Sequence, residues 1–260
     1  MRLLKRRCRA VACYNSDNPF ARRDGARWRV LRRALPCYDV FCTIRASTAE
    51  AARRQRARKV LCIPRTADEI VHRPRPWSAE DERRFSSQVA FVGTWMPERG
   101  RFVQELFRAG VPLRIFGANW RKAPEYEAIK HALAMNQFLS DDDYVRAVQY
   151  ARIALGLLSQ GNRDQHTGRS IEVPVIGTLF CGQRTQEHLA MYVEGAEAIF
   201  WSDAAECARR CHELLAQPLR IERIARAGHA RALASGQFNE VLMRTLVDAA
   251  LAAIPARGLS

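Results

Sequence analysis

The stretch Asn162-Arg163-Asp164-Gln165-His166-Thr167-Gly168-Arg169-Ser170-Ile171-Glu172-Val173-Pro174 decides how this chain is read. Before it runs Ile153-Ala154-Leu155-Gly156-Leu157-Leu158, short and apolar enough for a buried strand. After it comes Thr178-Leu179-Phe180-Cys181, a second such run. A link between two core strands needs only a turn and a helix. This one also carries two acids, two arginines, a histidine, a threonine and the glycines 161 and 168. Loops that leave the carboxyl end of a strand in an α/β sheet are where ligands bind. Asp164 and Glu172 stand eight positions apart. If Arg169 opens a helix, Glu172 falls in its first turn. The backbone N–H groups there, together with Arg169, make a site for an anion.

Working outward, strand and helix alternate. Residues 9–14 read as a strand closed by the turn formers Asn15-Ser16-Asp17-Asn18-Pro19. Residues 38–43 make a second strand. A helix follows, with Ser47 as its cap and Glu50 three positions on. Residues 60–63 make a third strand, and 64–77, with Pro74 and Pro76, a linker. The pattern restarts at 89–92, followed by Gly93-Thr94-Trp95. A helix then opens on Pro97, with Phe102, Val103, Leu106 and Phe107 at helical spacing. Next come a strand at 113–116, a helix over 124–133, and a helix at 144–151 capped from Ser140. Beyond the central stretch lie a helix at 185–193, a strand at 198–201 and an all-helical tail. Such alternation predicts parallel, doubly wound sheets. Residues 1–76 form a small unit plus linker, and residues 77–260 a fuller α/β unit.

Composition sets outer bounds. With 260 residues, 48% of them hydrophobic, the chain can bury a sizeable core. The net charge is +15, carried almost wholly by arginine, since lysine occurs only at positions 5, 59, 122 and 130. This is either a solvated basic surface or one drawn to phosphates or an anionic membrane. Eight cysteines include no C-x-x-C pair and no zinc-like spacing, so they read as reduced thiols without metal. No run approaches the ~20 apolar residues of a membrane span.

Several segments, taken in order, resemble the CgeB-like (spore maturation) branch of the group-1 glycosyltransferases. They are Tyr14-Asn15-Ser16-Asp17-Asn18-Pro19-Phe20, Phe91-Val92-Gly93-Thr94-Trp95, Ile115-Phe116-Gly117-Ala118-Asn119-Trp120, the central stretch through Gly177-Thr178, and Phe200-Trp201-Ser202. The resemblance implies two Rossmann-like domains across a cleft, the GT-B architecture, and sugar transfer from a nucleotide sugar to an acceptor hydroxyl. It implies that Glu172 accepts hydrogen bonds from the donor ribose and that Arg169 and Arg99 hold its diphosphate. Gly93 and Thr94 let the chain approach phosphates or simply make a turn, and Thr167 joins the donor site. The resemblance implies that Asp164 and His166 contact the transferred sugar as catalytic residues, although the wider group has Glu at the first of these positions; the other reading is that both are solvated loop residues. Asp17 and Asn18 face the acceptor side, or act as turn formers. Trp120 either shields the base or fills the core. The resemblance implies that no metal is needed, which fits the lack of a D-x-D pattern placed to bind one. The expected location is cytoplasmic, with peripheral contact at the inner membrane face as the option the charge adds.

Two other readings stand beside this one: a basic nucleic-acid-binding module, disfavoured because no recognition motif occurs, and a family member that binds donor without transfer. A full Rossmann-like half runs to roughly 100–150 residues, and family members carry sequence ahead of the Tyr14 segment. The first domain is therefore expected to be incomplete, with an uncovered sheet edge, and the chain to transfer sugar poorly by itself.

Overall fold

Three short parallel strands, β1 (Ala12–Asn15), β2 (Val40–Thr43) and β3 (Val60–Cys62), form the first sheet in that order. The computed structural model describes residues 1–254. All four residues of β2 are buried, as befits a central parallel strand covered on both faces. Helices α1 (Arg2–Arg7), α2 (Arg29–Ala34) and α3 (Ala46–Arg54) belong to this unit. The expected Ser47 cap is not formed. α3 starts earlier, with Arg45 at the capping position and no side-chain cap, so Ser47 lies inside the first turn.

The second sheet has six parallel strands: β4 (Ser87–Val92), β5 (Leu113–Phe116), β6 (Leu133–Met135), β7 (Ala151–Gly156), β8 (Leu179–Gln183) and β9 (Ile199–Trp201). Their order is β6-β5-β4-β7-β8-β9. The chain winds outward from β4 to β6, then returns to lay β7 against β4, which creates a topological switch point between those two strands. The helices of this unit are α4 (Ala79–Phe85), α5 (Pro97–Arg108), α6 (Tyr126–Ile129), α7 (Asp141–Gln149), α8 (Arg169–Ile176), α9 (Gln186–Met191), α10 (Ala204–Leu215) and α11 (Pro218–Ala234), and one more, α12 (Asn239–Leu251), follows them in the chain.

Strand alternation divides the core between the two faces of this sheet. Val89 and Phe91 of β4 join Leu106, Ile115, Trp120 and Cys181 on one face. Ala90 and Val92 join Phe85, Phe116, Phe180 and Phe200 on the other. The helix expected over 124–133 is α6, continued by a 3-10 turn over Lys130–Ala132. Leu133–Met135 pairs with β5 instead, a strand too short to show a sequence period.

Contacts group Met1–Thr66 and Ser159–Asp164 with the chain from Gln237, and Ala67–Leu158 with Gln165–Gly236. The sequence placed the divide at 76 and gave the whole helical tail to the second unit. In the structure, α12 covers the first sheet: Leu242, Leu246 and Ala249 pack on Val40 and Cys42 of β2.

Candidate functional site

The carboxyl ends of β4 and β7 are where the second sheet offers a crevice. β4 runs out at Val92 into Gly93 and Thr94. Gly117, with φ of 148°, lies so close that a Cβ there would collide with the Gly93 carbonyl. Trp120 is fully buried, donates from Nε1 to the Gly93 oxygen at 2.9 Å, and meets Phe91 edge-to-face. It is a core residue that fixes the Gly93 turn, the second of its two sequence readings. Arg99 is 8% exposed and also braces the region. Its Nη1 donates to the Thr94 carbonyl at 2.9 Å and its Nη2 to the Leu157 carbonyl at 3.2 Å. The diphosphate contact expected of Arg99 thus meets a buried side chain committed to backbone oxygens, one that ties the loop after β4 to the end of β7.

α8 begins beside this point. Its capping residue is Gly168, where a side chain would collide with the carboxylate of Glu172. Glu172 therefore folds back over the helix start, and its Oε2 accepts the Tyr144 hydroxyl at 2.5 Å. Burial first, then the neighbouring Glu172, pushes the Tyr144 phenol well above its ordinary pKa, so it remains a donor. Arg169 donates from Nε to the Val92 carbonyl at 2.8 Å, and its guanidinium carbon lies 5.7 Å from the Tyr144 ring centre. One half-buried arginine is thereby held between the end of β4 and the start of α8. Thr167 is buried, and its Oγ1 meets no hydrogen-bond partner among the described residues. A buried hydroxyl without a partner beside the start of α8 is a polar group that a ligand can satisfy.

His166 is 4% exposed, and its Nδ1 lies 2.5 Å from Glu187 Oε2. Behind it sits a fully buried pair, Ser170 and His188. The Gln183 carbonyl, 2.6 Å from His188 Nδ1, can only accept, so the proton is on Nδ1 and Nε2 accepts from Ser170 Oγ at 2.8 Å. Burial pulls His188 down to about 4, against a weaker opposing pull from the Gln183 hydrogen bond. This histidine is neutral and structural.

Asp164 belongs to the first unit. Its carboxylate is paired with Arg45, which donates from Nε at 2.6 Å and also from Nη2, and both side chains are only 5% exposed. Arg45 further donates to the Ser16 carbonyl at 2.7 Å. Asn18 is buried and donates to the Asn162 carbonyl at 3.3 Å, while Asp17 accepts from Asn162 Nδ2 at 3.4 Å. Asp17 and Asn18 therefore anchor the 159–164 segment within this unit. The sequence reading had no place for Arg45, Tyr144, Glu187 or His188. Each lies on a different element from its partner and leaves no local pattern.

All eight cysteines are free thiols. Cys181 on β8 meets Cys207 and Cys211 on α10, the three sulfurs lying within 4.8 Å of one another in the apolar core.

A family model described as glycosyl transferase-like matches residues 99–247. No curated protein matches the chain by sequence. Among solved structures, Anabaena HepE in complex with UDP-glucose superposes with a TM-score of 0.71 at 11% identity, over 94% of this chain and 72% of that one. A sucrose-phosphate synthase from Thermosynechococcus elongatus gives 0.60 at 14%, over 86% and 61%. A glycosyltransferase from Rickettsia africae gives 0.61 at 10%, over 82% and 63%. At such identities the likeness concerns the fold, which is α/β with parallel sheets of the GT-B type. With more than half of its residues matched by the family model, the chain belongs to the glycosyl transferase-like family.

Proposed function

We propose that this chain transfers a sugar, of hexose type, from a nucleotide-sugar donor to an acceptor hydroxyl, with the donor held on the second unit at the β4–β7 switch point. The observation that carries the reading is the group at the start of α8: Glu172 fixed by Tyr144, Arg169 fixed by Val92, and the orphaned Thr167 hydroxyl. Glu172 Oε1 accepts from the ribose hydroxyls. Arg169 and the amino end of α8 take the diphosphate, and Gly93 and Thr94 allow it to approach. Arg99 shapes the crevice from behind. In the transfer, the bond from the anomeric carbon to the phosphate oxygen breaks and its electrons leave with the diphosphate. The acceptor oxygen bonds the anomeric carbon and loses its proton to a base. Cationic groups around the leaving diphosphate supply the charge stabilisation, and we assign that task to Arg169 rather than to a metal. His166, steadied by Glu187, and Asp164 are assigned to the transferred sugar, and Asp17 and Asn18 to the acceptor side.

The order of the Tyr14, Phe91, Ile115, Asp164–Thr178 and Phe200 segments supports placing the chain in the CgeB-like branch, acting in the cytoplasm. The Arg45–Asp164 pair favours a second reading, donor binding without transfer, because a carboxylate held in a buried ion pair is not poised for chemistry. A thermal-shift panel of nucleotide sugars tests the donor site, with UDP-glucose first because HepE was crystallised with it. Stabilisation by a nucleotide sugar and by its free nucleoside diphosphate is expected. A panel in which no nucleotide stabilises the protein sinks the reading.

A further inference from the structure

Charge is unevenly distributed along the chain. Residues 1–66 hold 18 Lys and Arg against four Asp and Glu, a net +14 of the total +15, and the remaining 194 residues are nearly neutral. Within the first unit the fold gathers part of this charge at one edge. Asp39, at the amino end of β2, accepts from Lys5 Nζ at 2.5 Å, from the Val11 backbone at 2.8 Å and from Arg58 Nη1 at 3.3 Å. One carboxylate thus brings α1 and the turn between α3 and β3 to the same end of the sheet. Arg6 and Arg7 are exposed on α1 and Arg9 just after it, while Arg53 is exposed near the end of α3 and Arg56 and Lys59 in the turn that follows. Leu3 and Leu4 stand among the cations at 61% and 46% exposed.

We propose that this amino-terminal edge of the first sheet docks on the surface of an anionic phospholipid bilayer. The arginines and lysines meet lipid phosphates, and Leu3 and Leu4 enter the headgroup boundary. Either a nucleic acid or a bilayer satisfies the charge. Only a bilayer also gives two exposed leucines somewhere to go, and basic residues flanking an apolar pair is the pattern of interfacial segments. No helix among the described residues is long and apolar enough to cross a membrane. The opposite, carboxyl ends of these strands carry Asn15 and Thr43, so docking leaves Asp17 and Arg45 uncovered.

The test is co-sedimentation of the whole chain with vesicles of phosphatidylcholine alone and of phosphatidylcholine mixed with phosphatidylglycerol. Binding to the mixed vesicles only, weakening with salt, is expected. Removing one cation should cost about fivefold in partitioning, so Arg6→Ala with Arg7→Ala lowers it by over an order of magnitude. Leu3→Ser with Leu4→Ser lowers it roughly tenfold at unchanged charge. The control pair Arg209→Ala with Arg223→Ala, exposed on the second unit, leaves it unchanged. All variants are surface changes, checked by circular dichroism. Equal binding to neutral vesicles, or an equal loss in the control pair, overturns the proposal. So does a short RNA duplex that binds as tightly as the vesicles with no dependence on Leu3 and Leu4, which would assign the edge to nucleic acid.

Discussion

Tyr192 donates its phenolic proton to the carbonyl of Ser170 at 2.7 Å, the carbonyl that Pro174 leaves without a partner. Pro174 sits inside α8 four residues after Ser170 and has no N–H to complete the helical bond. Tyr192, from just beyond α9, replaces it, and burial pushes its phenol far above the ordinary range. Tyr192→Phe is expected to cost roughly 1–3 kcal/mol, the penalty of a buried unsatisfied carbonyl. Urea unfolding measures it. A loss below a few tenths would mean that water serves Ser170 equally well.

His188 makes stability depend on pH. Its pKa falls from 6.5 in the unfolded chain to about 4 in the fold. Between those values the unfolded chain binds the extra proton. The stabilisation is therefore complete above about 6.5 and is lost as pH falls toward 4, about 3 kcal/mol in all. His188→Gln should flatten this slope in unfolding curves taken across the window. An unaltered slope would assign the pH dependence to other groups.

Arg45 and Asp164 form a buried pair, so removing one partner strands the other. Arg45→Met is expected to destabilise the first unit by about 3–5 kcal/mol, and Arg45→Met combined with Asp164→Leu to recover most of that. Chemical unfolding of the single and double variants decides. A double variant as weak as the single one would show that the pair's geometry, not its charge, is what the unit needs.

At the proposed donor site, Glu172→Ala should abolish most nucleotide-sugar binding without unfolding the protein. Arg169→Ala should weaken a nucleoside diphosphate more than the nucleoside, by roughly 1.5–3 kcal/mol for a charge-assisted bond. Calorimetric titration separates the two. An unchanged dissociation constant for the Glu172 variant, or equal losses for both ligands with the Arg169 variant, would remove that residue from the site.

What the sequence revealed follows interaction range. The apolar runs 89–92 and 153–158 announced β4 and β7, and a helix opening at Arg169 put Glu172 in its first turn, where it lies. Ser140 was legible as a cap because capping is local. Tyr144 was not legible as the partner of Glu172, being 28 positions away on α7, nor was Arg45 as the partner of Asp164 at 119. Nothing around 133 showed that the helical segment tightens into a 3-10 turn and gives way to a three-residue strand. The side of the molecule that α12 covers was equally hidden, since an amphipathic helix shows an apolar face but not what that face will meet.

The packing of α12 on β2 sets the order of events during synthesis. Val40 and Cys42 leave the ribosome some 199 residues before Asn239 begins the helix that covers them. At roughly 5–20 residues per second that interval is about 10–40 s. The first unit to be translated is thus the last that can be completed, and the face of its central strand stays bare while the whole second unit is made. Ribosome-bound chains stalled before residue 239 should be cut readily by protease within residues 1–66, and chains carrying all of α12 should resist. Equal resistance would show that the first sheet closes without its final helix.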